Sequence, residues 1–281
     1  MSRPTARHES APRALPSLIA TDLDGTLLHS DGTVSDRTRA AVRAATDAGA
    51  LLIAVTGRPP RWLGPIVDAF QGRGRVVCAN GALIYDLGTE QVTRTAGIEP
   101  DDAATVIRLL RERLPDVTFG VERADGFGHE PSYARPDLNN RLAASFRPEV
   151  APLEELLTAP VTKLLLRHPD AEVEDLAETA RETVGQAATV TYSGGHVVEI
   201  SAAGITKASA LRHLAHEAGL DADDALAFGD MPNDLPMLTW AGHAIAVANA
   251  HPDVLELADE VTDSNDDDGV AIVLERLIEE A

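Results

Sequence analysis

The chain has 281 residues, 44% hydrophobic and 25% charged, so it is long enough for one large domain or two modest ones and does not resemble a disordered protein. Its 45 acidic and 24 basic residues give a formal net charge of −21, which disfavours nucleic acid and anionic membranes as partners because their phosphates are repelled. A small anionic substrate can still bind where a local cation, such as a metal ion, offsets this field.

The first segment, residues 1–14, carries prolines and charges but not the apolar core and cleavage site of a secretory signal. No later stretch reaches the roughly 20 apolar residues that are needed to span a bilayer. The single cysteine, Cys78, cannot form an internal disulfide, so nothing indicates an oxidising compartment. We therefore expect a cytoplasmic protein whose residues 1–14 form a flexible tail. Its oligomeric state does not follow from the sequence.

Short apolar runs alternate with helical patterns after this tail. Each run ends abruptly in polar or glycine-containing residues, as the buried strands of a parallel sheet do. Ser35 is suited to cap a helix that Gly49 closes, and Pro60 suits the first turn of the next one. The predicted elements are strands at 18–20, 51–55 and 76–79 and helices at 35–48 and 60–71.

The middle of the chain, about residues 85–196, lacks this alternation. Its helical patterns lie near 101–114 and 170–184, and its strand-like pieces are 117–121, 161–166 and 189–192. Strands and helices without βα alternation predict an inserted α+β module. No role follows from the residues for the unusual stretch His129–Tyr133.

The alternation returns in the last third of the chain. Helices are predicted at 206–218, 235–241 and 269–280, and strands at 225–228 and 244–247. The predicted fold class is α/β, with a parallel-sheet core formed by residues 15–84 and 197–281 and a smaller domain inserted at 85–196.

The strongest chemical signal is the run Asp22–Leu27, DLDGTL, directly after the first strand. Ligands of open parallel sheets bind beyond the carboxyl ends of the strands, so Asp22 and Asp24 would both face such a crevice. Two adjacent carboxylates repel unless a cation or a proton lies between them. With no cysteine or histidine in the run, an oxygen-preferring ion such as Mg²⁺ fits. Taken alone, the run could also be a turn with two solvated aspartates.

Other strand ends carry matching groups. Thr56 and Gly57 offer a hydroxyl and backbone N–H groups before a helix, which suits a phosphate oxygen. Lys207 lies in a first helical turn, where the helix dipole disfavours a cation unless an anion faces it. The run Gly229–Asp234, GDMPND, places two further carboxylates after another strand. Each feature alone could be an ordinary turn or a solvated side chain, but their combination is hard to explain without a function.

These pieces resemble the motifs of the haloacid dehalogenase superfamily of phosphatases. They occur in the family's order, with DxDGT at 22–26, then Thr56, Lys207 and GDxxND at 229–234. The inserted segment is similar in length and placement to the α/β cap of the Cof-type subfamily. The resemblance covers about residues 17–280 and implies a Rossmann-like core with that cap.

The resemblance also implies a mechanism. Mg²⁺ would be held by the carboxylates of Asp22 and Asp230 and by the backbone carbonyl of Asp24. Asp22 would attack phosphorus and form an aspartyl-phosphate, while Asp24 would act first as general acid and then as general base. Asp234 would orient Lys207 or a metal-bound water.

Charge on the phosphoryl group would be met by Lys207, by the hydroxyl of Thr56 and by backbone N–H groups near Gly57, with Asn233 assisting. Arg58 would either bind substrate or pair with an acid. A cap moving on hinges near 83–88 and 196–202 would exclude bulk water. Because a closed cap leaves little room, we expect small phosphorylated metabolites, namely sugar phosphates or phosphorylated cofactors.

Three alternatives stay open on the sequence. A phosphomutase would use the same residues but return the phosphoryl group to the substrate. A binding module without catalysis would usually lack Asp22, Asp24, Lys207 or Asp230, and all four are present. A metal-storage protein is suggested only by the acidic composition.

Overall fold

The computed structural model describes residues 15–133 and 147–280, which form two β-sheets with packed helices. The predicted tail at 1–14 lies outside the described residues. In the described part of the chain one sheet has eight strands and the other has six. The α/β fold class predicted from the sequence is confirmed.

The strands and helices are numbered in chain order. The strands are β1 (Leu18–Thr21), β2 (Leu51–Val55), β3 (Arg75–Cys78), β4 (Leu83–Asp86), β5 (Gln91–Thr95), β6 (Thr118–Glu122), β7 (Phe127–His129), β8 (Glu149–Val150), β9 (Lys163–Arg167), β10 (Ala188–Thr191), β11 (Val198–Ala202), β12 (Ala225–Gly229), β13 (His243–Val247) and β14 (Glu260–Thr262). The helices are α1 (Asp36–Asp47), α2 (Gly64–Val67), α3 (Pro100–Arg113), α4 (Leu153–Leu156), α5 (Val173–Val184), α6 (Lys207–Ala218), α7 (Leu235–Trp240), α8 (Pro252–Leu257) and α9 (Gly269–Glu279).

Six parallel strands form the main part of the large sheet, in the order β14-β13-β12-β1-β2-β3, and β4 and β5 continue it antiparallel. β1 and β12 are buried along their whole length, as expected for apolar central strands of a parallel sheet. The chain moves outward from β1 to β2 and β3 on one side, and from β12 to β13 and β14 on the other. The point between β1 and β12 is therefore the topological switch point, where such sheets bind ligands.

The six-stranded sheet has the order β10-β11-β9-β6-β7-β8. Apolar residues of its strands, such as Leu164 and Ile200, share a core with α3 and α5. Alternate positions on β6, β9 and β11 carry Glu122, Lys163 and Glu199, which are polar and nevertheless buried. Because side chains alternate across a strand, these three belong to the opposite face. That face lies against the part of the chain that contains the eight-stranded sheet. There Lys163 Nζ donates to the carbonyl of Gly57, in the loop after β2 (2.8 Å).

The stretch His129–Tyr133 has structural contacts. The Glu130 carboxylate accepts a hydrogen bond from the backbone N–H of Phe119 (2.6 Å) and pairs with Arg111. The rings of His129 and Tyr133 pack with their centroids 5.5 Å apart. These contacts connect β7 with β6 and α3.

Two details differ from the sequence prediction. The segments 83–88 and 196–202 consist mostly of β4 and β11, two strands that the sequence did not predict, and the hinge movement expected there stays a prediction. The helix predicted at 60–71 is a 3₁₀ turn at Pro60–Trp62 followed by the short α2, because a second proline, Pro65, interrupts it. From the strand pairing, we propose that the inserted domain runs from about residue 96 to 202.

Gly81 allows the turn after β3 to approach the start of α6. Its φ is +104°, and a Cβ there would overlap the carbonyl of Thr206, the N-cap of α6. Gly81→Ala should therefore lower the free energy of unfolding by about 2–4 kcal/mol in urea denaturation, because backbone strain and steric overlap add. Gly49→Ala is the matched control, since Gly49 also has positive φ but faces open space; we expect a loss of about 1 kcal/mol there. Equal losses at the two positions would contradict this account.

Candidate active site

Asp22 and Asp24 lie on the loop that follows β1. The backbone N–H of Asp22 donates to the carbonyl of Phe228 (3.1 Å), which fixes this loop beside the end of β12. Gly25 has φ +79°, and a Cβ there would overlap the Asp230 carboxylate. Only glycine therefore lets the two loops approach this closely. The predicted nucleophile and the GDxxND motif meet as the sheet topology requires.

Lys207 is fully buried at the first position of α6. Its ammonium donates to Asp22 Oδ1 and to Asp234 Oδ1, the latter at 2.5 Å. The helix starts with a capping box in which Thr206 and Ser209 satisfy each other's backbone N–H groups. The cation at this unfavourable helix end is thus balanced by two carboxylates, as the sequence predicted for a facing anion.

Asp234 is fully buried, and both of its carboxylate oxygens are hydrogen-bonded. Oδ1 accepts from Lys207, while Oδ2 accepts from the backbone N–H groups of Asp230 (3.1 Å) and Met231 (3.0 Å). Asp234 therefore shapes the loop that carries Asp230 and holds the Lys207 ammonium. This placement is compatible with the orienting role expected for it.

The site contains more negative than positive charge. Carboxylate oxygens of Asp22, Asp230 and Asp234 lie within 4.8 Å of one another, so three acids face the single ammonium of Lys207. Burial raises the pKa of Asp22 well above its usual value, although Lys207 acts to lower it. Burial and the neighbouring Asp234 raise the pKa of Asp230 to about 7. Burial acts to lower the pKa of Lys207, but Asp22 and Asp234 outweigh it and raise that pKa.

These residues fit a divalent cation. If all three acids are ionised and Lys207 is protonated, two negative charges are unbalanced, and an ion of charge +2 would balance them. The donor atoms are carboxylate oxygens, which Mg²⁺ prefers. Asp234 already uses both oxygens within the protein, so Asp22 and Asp230 are the carboxylates placed to bind the ion. The Asp24 side chain is outside this cluster, and its backbone carbonyl was the ligand expected from it.

Thr56 and Gly57 form a loop directly after β2. Thr56 is fully buried, and its hydroxyl accepts the backbone N–H of Arg58 (3.0 Å). Its carbonyl accepts the N–H of Asn80 (3.0 Å), and the Gly57 carbonyl accepts from Lys163 (2.8 Å). The turn after β3 and the six-stranded sheet therefore both hold this loop in place.

Arg58 pairs with an acid, which was one of the two roles left open for it. Its Nε donates to Asp24 Oδ2 (2.7 Å), and its Nη2 contacts the other carboxylate oxygen. Its Nη1 donates to the carbonyl of Trp62 (3.1 Å). The acid is Asp24, the predicted general acid and base, so Arg58 fixes the orientation of that carboxylate.

Asn233 is buried next to the turn after β3. Its Nδ2 donates to Asn80 Oδ1 (3.1 Å), while its own Oδ1 is buried without a hydrogen-bond partner in the described residues. Asn80 in turn donates to Glu199 of β11 (2.9 Å). The contact of Asn233 with a phosphate stays a prediction.

Several residues that build the site were given no role by the sequence analysis, although Thr26 belongs to the DxDGT motif. Thr26 donates to Asp230 Oδ1 (2.7 Å), and Asn249 donates to the carbonyl of Gly25 (2.8 Å). Asn80, Lys163 and Glu199 hold the loop at Thr56–Arg58 and the side chain of Asn233. The position of Asn80-Gly81 at the end of β3, next to the other site-forming strand ends, was the available signal for Asn80. Lys163 and Glu199 carried no comparable signal.

The sequence also matches a known family over nearly its whole length. The model of the haloacid dehalogenase-like hydrolase family matches residues 19–274. This chain belongs to that family. The resemblance found in the four motifs is thereby confirmed, and the protein is a phosphatase of the haloacid dehalogenase type.

Named relatives and solved structures agree with this assignment. A 5-amino-6-(5-phospho-D-ribitylamino)uracil phosphatase of Bacillus subtilis (strain 168) is 30% identical over 286 residues, covering 92% of this chain and 97% of the relative. An HMP-PP phosphatase of Serratia proteamaculans (strain 568) is 28% identical, covering 85% and 86%. The structure of BT4131, a sugar phosphatase of HAD subclass IIB, superimposes with a TM-score of 0.79 at 20% identity, covering 92% and 98%. That last likeness shows the fold, including the inserted α/β cap.

A cavity of about 840 Å³ lies between the cap and the core of this HAD phosphatase. Lys207 and Asn233 line it from the core, and Tyr192 and Ser201 line it from the cap. Its volume is in the range of small-molecule sites. Asp22 and Asp24 are not among its lining residues, so it adjoins the carboxylate cluster rather than containing it. In the described residues, no helix is both long and apolar enough to cross a membrane.

The raised pKa of Asp230 predicts how the stability of the metal-free enzyme depends on pH. A carboxyl whose pKa is higher in the folded than in the unfolded state binds more protons when folded, so stability falls as pH rises from about 4 to about 7. In EDTA, Asp230→Asn should reduce this fall by about 2–4 kcal/mol. Urea denaturation at several pH values measures the slope.

Asp47→Asn is the control for this experiment, because Asp47 is an exposed residue at the end of α1. It should leave the pH slope as it is in the wild type. A wild-type slope that Asp230→Asn does not change would show that the cluster titrates through another carboxyl.

Proposed function

We propose that this protein is a Mg²⁺-dependent phosphatase that hydrolyses small phosphorylated metabolites through an aspartyl-phosphate on Asp22. One observation carries the proposal. A fully buried lysine holds the Asp22 carboxylate at the switch point of the sheet, next to Asp230 and Asp234. A buried carboxylate held by a cation, with further acids around it, is suited to attack phosphorus when a metal ion compensates the excess charge.

The residues of the chain have distinct roles in this proposal. In the first step Asp22 forms a bond to phosphorus, the bond from phosphorus to the leaving oxygen breaks, and Asp24 gives that oxygen a proton. In the second step a water molecule attacks phosphorus, Asp24 takes its proton, and the bond to Asp22 breaks. Arg58 pairs with both carboxylate oxygens of Asp24, so one of these contacts has to open when Asp24 carries the proton that it gives to the leaving oxygen.

Charge on the phosphoryl oxygens is met by Lys207 and by donors of the loop at Thr56 and Gly57, with Asn233 close by. Mg²⁺ bound by Asp22, Asp230 and the Asp24 carbonyl would supply further positive charge to these oxygens. Asp234 keeps Lys207 in place. These assignments rest on the family motifs together with the contacts described above.

The proposed substrates are small organic phosphates. Two relatives of this chain are named as phosphatases, one of 5-amino-6-(5-phospho-D-ribitylamino)uracil and one of HMP-PP. A buried carboxylate cluster and an adjoining cavity of about 840 Å³ between cap and core also favour a small molecule over a phosphoprotein. We therefore propose phosphorylated sugars, sugar alcohol derivatives and cofactor precursors as the substrate class.

Phosphate release from an aryl phosphate and a panel of such metabolites tests the proposal. The wild type should turn over in Mg²⁺ and stop in EDTA, because without the ion the acidic cluster repels the phosphate. Asp22→Asn keeps the shape but loses the nucleophile, so its rate should fall by at least about 10³-fold. Thermal unfolding checks that the variant is folded.

Product analysis distinguishes the phosphomutase. An isomerised phosphate ester without inorganic phosphate would replace the phosphatase proposal with that activity. Undiminished release by Asp22→Asn would overturn the assignment of the nucleophile.

A further inference from the structure

A buried chain of polar side chains connects the cap with the core. It begins on β9 and β11 of the cap with Lys163 and Glu199, and it continues through Asn80 to Asn233 in the core. All four residues are less than 7% exposed. No role in the proposed chemistry accounts for Lys163, Glu199 or Asn80.

Lys163 and Glu199 form a buried ion pair. The Glu199 carboxylate also accepts from Asn80 Nδ2 (2.9 Å) and from the Ser193 hydroxyl (3.1 Å). Burial acts to raise the pKa of Glu199, but Lys163, Asn80 and Ser193 outweigh it and lower that pKa. Buried ion pairs seldom stabilise a fold more than apolar residues of the same volume would. A role in fixing the position of the cap relative to the core explains this pair better than a role in stability.

The pair contacts the core at the loop that follows β2. Lys163 Nζ donates to the carbonyl of Gly57 (2.8 Å), so the ammonium holds the residue between Thr56 and Arg58. A Cβ on Gly57 would lie 3.2 Å from Asn80 Oδ1 and 3.7 Å from the Glu199 carboxylate. The loop is therefore packed directly against the chain of polar groups.

Asn80 joins these contacts in an unusual backbone conformation. Ala79 and Asn80 both have positive φ, 50° and 56°, which costs energy in residues other than glycine. The turn that results lets the N–H of Ala79 donate to the Arg58 carbonyl and the N–H of Asn80 to the Thr56 carbonyl, both at 3.0 Å. The Asn80 side chain is then free to accept from Asn233 and to donate to Glu199.

We propose that Asn80 is a positioning residue through which the Lys163–Glu199 pair of the cap sets the loop at Thr56–Arg58 and the side chain of Asn233. This inference rests on the proposed phosphatase function. Its consequence is that turnover depends on these cap residues even for a substrate whose leaving group is too small to contact the cap. A cap that only selects leaving groups would not have this effect.

Kinetics with acetyl phosphate, which has a very small leaving group, test the inference. Glu199→Gln and Asn80→Asp each keep the side-chain shape, and Asp tolerates the positive φ of Asn80. Each should lower kcat for acetyl phosphate by about 10- to 100-fold, as expected for misplacement of groups around the phosphate. The kcat for the best metabolite substrate should fall by the same factor. A kcat for acetyl phosphate within twofold of the wild type would overturn the proposal.

The double variant Asn80→Asp/Glu199→Gln provides a rescue experiment. It exchanges amide and carboxylate between the two positions, so one donor and one acceptor face each other again. Its kcat should exceed that of Asn80→Asp alone by at least fivefold. If the two side chains act independently, the kcat of the double variant should fall by the product of the two single losses. A kcat as low as that would contradict a direct coupling of these side chains.

Glu122→Gln is the matched control. Glu122 lies on the same face of the cap sheet and pairs with Arg61 of the core (2.7 Å), but it does not belong to the Asn80 chain. Its kcat for acetyl phosphate should stay within twofold of the wild type. A loss equal to that of Glu199→Gln would assign the effect to cap closure in general and would overturn a specific role of Asn80.

A binding measurement separates this inference from the proposed function. If the wild type releases phosphate from no substrate, the phosphatase proposal fails. Calorimetry then measures the binding of orthovanadate in the presence of Mg²⁺. This binding depends on the position of the loop at Thr56–Arg58 and does not require turnover. Glu199→Gln should raise the Kd for vanadate at least fivefold, and an unchanged Kd or no binding to the wild type would overturn the inference.

Discussion

The ammonium of Lys207, buried between Asp22 and Asp234, is the interaction on which the rest of the site depends. Without a cation at this point, three carboxylates would lie together in a region with little water, at a cost of several kcal/mol. The surrounding structure supports the lysine in two ways. The capping box at Thr206 starts α6 so that Lys207 points toward the strand ends, and Asp234 holds both Lys207 and the loop of Asp230. Residues from three separate segments thereby form one cluster, in which Lys207 offsets part of the negative charge.

The parallel sheet explains why those segments meet. Leu18 pairs with Ala225 and with Leu51 in register, so the residues that follow β1, β12 and β2 lie side by side. This arrangement requires close approach of backbone loops, which Gly25 permits beside Asp230. The chemistry of the site is therefore a consequence of strand order and of where each strand ends.

The sequence predicted the core well because its signals are local. The helix cap at Ser35 and the continuous apolar strands each follow from neighbouring residues, and each is found in the structure. The family and the phosphatase class were also predicted correctly from four short motifs. The roles of individual site residues, the metal ion and the cytoplasmic location stay predictions.

The parts that were missed depend on contacts between distant segments. β5 is exposed along its length and lacks an apolar pattern, so only its pairing with β4 identifies it as a strand of the large sheet. The sequence carries no signal for the buried pair of Lys163 and Glu199, because the two residues are distant in the chain and also contact Asn80 and Gly57 of the core. Arg58 could not be assigned to Asp24 for the same reason.

The pairing of β1 with β12 also constrains how the polypeptide is made. β1 leaves the ribosome early, while β12 and Lys207 follow only after the whole cap. Until then β1 has an unpaired edge toward the missing strand, and such edges promote association between chains. The cap, whose strands are contiguous in sequence, can close its own core during this interval. The acids that follow β1 and β12 can therefore meet only late in synthesis, after the whole cap sequence has been made.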